Sequence, residues 1–102
     1  MKTIALIPDF EVDLGGRLVP FTARALIKQV LDAPPSDGFT PSVMRERARI
    51  DAVLDDLPED ATELELEDAD AKTLLKCVQS MRFGFRHKGL LDFCDAIEEG
   101  AK

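Results

Sequence analysis

From Phe10 the chain alternates strictly. Phe10, Val12 and Leu14 fall on one face of an extended segment, and Asp9, Glu11 and Asp13 fall on the other. Gly15-Gly16 follows, and two glycines can supply the positive φ angles of a tight hairpin that returns through Arg17, Leu18 and Val19. Before it, Thr3 to Ile7 is rich in β-formers, and Pro8 ends that run because it cannot donate to a ladder. A second alternation comes late in the chain. Leu64 and Leu66 point one way and Glu63, Glu65 and Glu67 the other, which predicts a strand with one wet face.

The helical periods lie between and after these strands. Thr22 and Thr40 are placed to cap helices over residues 23–33 and 42–57, with Pro41 at a first-turn position where a missing N–H costs nothing. A phenylalanine precedes each cap, Phe21 and Phe39, and is positioned to staple onto Leu26 and Met44. The second helix sets Met44, Ala48, Ile50 and Leu54 among charges, with Arg47 and Asp51 four residues apart as a candidate ion pair. Asp68 is the expected cap of a third helix, from Ala69 to about Arg82, with a stripe of Ala71, Leu74, Leu75, Val78 and Met81. Phe83-Gly84-Phe85 breaks it. The last helix, from about Lys88 to Glu99, turns Leu90, Leu91, Cys94 and Ile97 inward.

This order predicts one α+β domain over residues 1–102. A small antiparallel sheet, formed by the N-terminal strand and hairpin plus one later strand, packs against about four helices. The length suits one core rather than two. Apolar residues make up 45% of the chain, enough to offset chain entropy, so the composition is globular rather than disordered.

Charge changes the functional picture more than the fold. Residues 1–52 carry seven acids and seven Lys or Arg, while residues 53–102 carry thirteen acids against six, which accounts for the whole net charge of −7. A negative surface repels phosphate backbones, so nucleic acid and anionic membranes are disfavoured partners. No apolar run approaches the length of a membrane span, and the N-terminal apolar stretch is too short for a signal peptide. Two cysteines, Cys77 and Cys94, make no disulfide framework, and the expected compartment is a reducing cytoplasm.

Two charge clusters are the candidate sites. Nine acids and no base lie between Asp55 and Asp70, and Glu63, Glu65 and Glu67 form their strand face. They read as a solvated face or as a surface for a basic partner. A metal is disfavoured, because alternation fans the three glutamates out about 7 Å apart instead of converging their oxygens. The opposite cluster runs through Arg82, Phe83, Phe85, Arg86, His87 and Lys88. It reads as a connection whose rings plug the core while its charges stay wet, or as a protein contact; stacking on single-stranded nucleic acid is the weaker alternative. His87 and Cys94, seven apart, are the only Cys–His arrangement, but Cys94 sits on an apolar stripe and no nucleophile signature surrounds it. No catalytic residue, metal site or cofactor is assigned.

One resemblance is at the level of pattern. The turn Leu14-Gly15-Gly16-Arg17-Leu18, the Thr-capped helix after Phe21-Thr22, the charged segment Met44-Arg45-Glu46-Arg47-Ala48-Arg49-Ile50, and Leu64 to Asp70 entering a helix through acids together resemble small proteins of tailed phages and prophages. Some phage tail-assembly chaperones begin in a similar way. The resemblance implies a non-enzymatic protein-interaction module in virion assembly or host modulation, acting in the host cytoplasm or carried in the virion, and it transfers no functional residues. The alternatives are an acidic decoy occupying a nucleic-acid-binding surface of a host protein, and a small enzyme with an unrecognised site. The two clusters flank a helix about 20 Å long, beyond the Debye length of about 8 Å, so within one molecule they scarcely attract each other, whereas between molecules or toward a partner the same surfaces can dock directly. Head-to-tail self-association is one expected outcome.

Overall fold

A computed structural model describes residues 1–102. In chain order it contains β1 (Lys2–Ala5), β2 (Phe10–Leu14), β3 (Arg17–Phe21), α1 (Ala23–Asp32), α2 (Pro41–Asp55), β4 (Glu63–Leu66), α3 (Asp68–Ser80) and α4 (Lys88–Ala101). The architecture is α+β, with four helices and antiparallel strands, as the periodicities predict. The strands do not join into one sheet. β1 pairs with β4, Lys2 opposite Leu66 and Ala5 opposite Glu63, whereas β2 and β3 pair only with each other.

Local chemistry explains most element boundaries. Gly15 and Gly16 have φ of 64° and 86°, the left-handed values a two-residue hairpin turn demands, and the Gly16 N–H donates to Asp13 Oδ1 at 2.9 Å. Thr22 Oγ1 accepts from the Ala25 N–H at 3.0 Å, and Thr40 Oγ1 from the Val43 N–H at 3.2 Å, so both threonine caps form. The third cap differs from expectation. Asp68 is already the first residue of α3, Glu67 holds the cap position without a side-chain hydrogen bond, and Asp68 and Asp70 favour the positive end of the helix as first-turn acids. The same helix ends at Ser80, short of Arg82.

One core gathers β1, β4 and all four helices. Ile4, Leu64 and Leu66 are fully buried beneath Leu26, Ile50, Leu74 and Phe93. In α4 the inward stripe is Leu90, Phe93, Ile97 and Ala101; Leu91 is 60% exposed rather than inward, because it lies about 100° round the helix from Leu90. Met44 and Ala48 are likewise exposed, leaving Ile50 and Leu54 as the buried positions of α2.

Two arginines tie helix ends together instead of forming helix-surface ion pairs. Arg47 donates to the Leu31 carbonyl at 2.9 Å and to the Ala33 carbonyl, and its guanidinium lies 5.1 Å from the centre of the Phe39 ring. It therefore leaves Asp51 to Lys28, which bridges Asp51 at 3.2 Å and Asp55 at 2.7 Å. Unsatisfied carbonyls at the end of α1 are stronger claimants for a planar donor fork than an exposed carboxylate. Phe39 and Met44 are both largely exposed, so they form no buried staple. Arg24 ties α1 to the turn that follows α2, through the carbonyls of Leu57 and Pro58.

Candidate partner-binding groove

Between α2 and β4 lies an open groove of about 750 Å³. Glu63, Glu65 and Glu67 rim it from the strand side and Asp56 from the helix side. Its one side-chain cation is Arg49, whose Nε lies 3.3 Å from Asp70 Oδ1. Asp70 is only 7% exposed, the single charged residue taken into the core, and Arg49 is its only side-chain partner. A buried carboxylate without a partner is expensive, so this pair pins α2 to the start of α3 and fixes one end of the groove.

The backbone of β4 adds a second feature. Antiparallel pairs alternate between those that exchange hydrogen bonds and those whose N–H and C=O groups point away. The Leu6 N–H donates to the Thr62 carbonyl at 2.9 Å, in line with the β1–β4 register, so Leu6–Thr62, Ile4–Leu64 and Lys2–Leu66 are the bonded pairs. Glu63 and Glu65 therefore turn their N–H and C=O groups outward, to the edge that β1 does not occupy. The opposite edge, on β1, is closed. The backbone of α4 at Gly100 runs so near that a Cβ there would lie 2.7 Å from the Thr3 carbonyl oxygen and 2.9 Å from Ile4 Cα. One edge of this sheet is covered by a helix; the other opens on the groove.

The basic connection takes a different form. Phe83 and Phe85 are half-buried and pack against the core, while Arg82, Arg86 and Lys88 stay exposed. Phe85 meets Phe21 with ring centres 5.3 Å apart, Phe21 stacks on Phe10 at 5.6 Å, and Phe10 stacks on the His87 ring at 5.1 Å. This row of rings is what fastens the β2–β3 hairpin to the body. His87 also caps α4, its Nδ1 accepting from the Gly89 N–H at 2.9 Å, and that requires the neutral ring nitrogen.

The thiols lie apart from this chemistry. Burial pushes the Cys77 thiol above its ordinary pKa; burial, then Glu98 and Asp95, does the same for Cys94. Both are held as the unreactive neutral form. Lys28 is also held above its usual pKa, first by its hydrogen bond to Asp55 and then by that to Asp51. No three His, Cys, Asp or Glu side chains converge on one point, and no helix is long and apolar enough to cross a membrane.

The structure thus gathers Glu63, Glu65 and Glu67 on one groove and places Arg82, Phe83, Phe85, Arg86 and Lys88 at the other end of α3, where the charges are exposed and the two rings half-buried. Two features have no local signature in the sequence. No periodicity relates Arg49 to Asp70, and none says which edge of β4 stays free. No family model, curated protein or solved structure matches this chain.

Proposed function

We propose that the chain is a non-enzymatic protein-interaction module that receives a basic protein segment in the groove between α2 and β4. A single observation carries the reading. Asp56, Glu63, Glu65 and Glu67 rim one groove whose only side-chain cation, Arg49, is already paired with Asp70. Carboxylates so grouped steer and hold a positive partner, and they disfavour nucleic acid. Their concentration in one groove, instead of spread over a face at phosphate-like spacing, favours this module over an acidic decoy. The setting belongs to the same proposal: virion assembly or host modulation of the phage type, in the cytoplasm. The exposed Arg82, Arg86 and Lys88 make a second copy of the chain the alternative partner, one that would dock by charge without adding a strand.

Affinity capture from the producing cell tests it. Wild-type protein is expected to retain a basic protein that is lost with Glu63→Lys, Glu65→Lys and Glu67→Lys combined, and lost again at about 1 M salt, where the Debye length falls to about 3 Å. Recovery of the same proteins by the reversed variant would overturn the proposal. Salt-sensitive sedimentation of the pure chain, abolished by reversing Arg82, Arg86 and Lys88, would identify the partner as a second copy.

A further inference from the structure

We infer that the groove takes its partner as an added β-strand: an extended basic segment pairs antiparallel with the free edge of β4 and makes the two-stranded β1–β4 sheet three-stranded. The inference rests on the proposed interaction role and adds to it the conformation and register of the bound segment.

Three observations converge on it. The N–H and C=O groups of Glu63 and Glu65 face the groove, and the antiparallel register leaves them no partner on β1. The other edge of the same sheet is closed by α4 at Gly100, so the exposure of β4 is particular to this side of the sheet. The side chains of Glu63 and Glu65 also stand on the wet face, opposite the buried Leu64 and Leu66. Each glutamate therefore offers backbone and charge to the same incoming residue.

Geometry fixes what that residue is. In an antiparallel ladder, the residue directly opposite Glu63 or Glu65 exchanges both backbone hydrogen bonds with it and projects its side chain to the same face. A lysine or arginine at alternate positions of the partner meets each glutamate in turn. A second copy cannot occupy the edge through its own β4, because glutamates would then stand opposite glutamates, and like charges directly across a ladder are destabilising. The basic connection of a second copy does not supply the strand either. Its Phe83 and Phe85 are anchored on the core, and Phe85 is held against Phe21. The occupant is accordingly a segment of another protein, extended and basic at every second residue.

The test uses a fluorescein-labelled octapeptide of alternating valine and lysine, with anisotropy measured against the full chain. Two further peptides carry backbone N-methyl groups, one on the lysines and one on the valines, with charge unchanged. Lysine N–H groups face β4 in the inferred register, so methylating them is expected to weaken binding by at least about tenfold, the scale of one or two lost hydrogen bonds. Methylated valines face away and should bind like the parent peptide. The variant Glu63→Gln with Glu65→Gln, isosteric and exposed, should weaken all three peptides and flatten their salt dependence. Equal affinity of the two methylated peptides, or a loss confined to the valine series, would overturn the strand inference. If that equal binding still fell in the Gln variant, the basic-partner groove would stand without strand addition. Absence of binding by any of the peptides at low salt would remove both, leaving the acids as a charged guard on a sheet edge.

Discussion

The two small sheets of this protein are both two-stranded and antiparallel but opposite in construction. In β1–β4 the strands come from opposite parts of the chain, and Ile4, Leu64 and Leu66 lie fully buried under helices. In β2–β3 the strands are neighbours joined by two glycines, and Val12 is the hairpin's only buried residue. The hairpin holds its shape through turn chemistry and its place through a row of rings from Phe21 to His87. The β1–β4 pair is framework, and the β2–β3 hairpin is attachment. A two-stranded ribbon is marginal by itself, so each needs outside support; β1–β4 receives it inside the main core, whereas β2–β3 leans on that core only through the half-buried Phe10 and Phe21.

The largest test of that contrast is truncation within each sheet. Leu64→Ala should destabilise the whole protein by about 2–5 kcal/mol, as for a fully buried leucine. Val12→Ala should cost about 1–2 kcal/mol and be felt mainly in the hairpin. Denaturant unfolding read by far-ultraviolet circular dichroism measures the first, and amide exchange in residues 10–21 locates the second. Similar losses of global stability would mean the hairpin belongs to the framework.

Next come the two glycines against which the sheets are packed. Gly100→Ala puts a methyl 2.7 Å from a backbone carbonyl oxygen of β1, where nothing flexible can yield. A loss of about 1–3 kcal/mol is expected, as for overpacking. Gly89→Ala meets the Phe10 ring at 2.6 Å. That ring can rotate with the hairpin, so the expected result is a displaced ring row, seen as shifted aromatic resonances of Phe10 and His87, with a smaller fall in the unfolding midpoint. The reverse order of effects would place the rigid packing on the hairpin side.

Thr22 joins the two regions, ending the hairpin and capping α1. Thr22→Ala should cost about 1 kcal/mol. Thr40→Ala, at a cap away from either sheet, should cost the same, and Ser42→Ala should have little effect. A distinctly larger loss at Thr22 would show that the cap also orients the hairpin.

The smallest effect concerns the thiols on α3 and α4. Both thiol pKa values are raised in the fold, so the neutral form is favoured on folding, and the associated stabilisation is lost as pH climbs above the unfolded thiol value. A disulfide-exchange reagent at pH 7 should react slowly with both, faster with the half-buried Cys94 than with the buried Cys77, and faster again as pH rises. Rapid reaction of both at pH 7 would contradict their place in the helical core.

Much of this architecture is local and was therefore legible in the sequence. Alternation marked Leu64 and Leu66 against Glu63 and Glu65, Gly15-Gly16 marked the hairpin, and two threonines marked helix starts. Each depends on residues within a few positions of one another, which is the range over which backbone sterics and capping act. The acid run gave the rim of the groove for the same reason. Tertiary structure decided the rest. It chose β4 as the partner of β1, split the strands into two sheets, closed one edge with α4 at Gly100, left the other open, and brought Arg49 to the buried Asp70. These are choices among distant partners with equivalent local patterns. They are settled by which arrangement buries the most apolar surface while satisfying the buried backbone and charge, a property of the whole packed chain rather than of any segment.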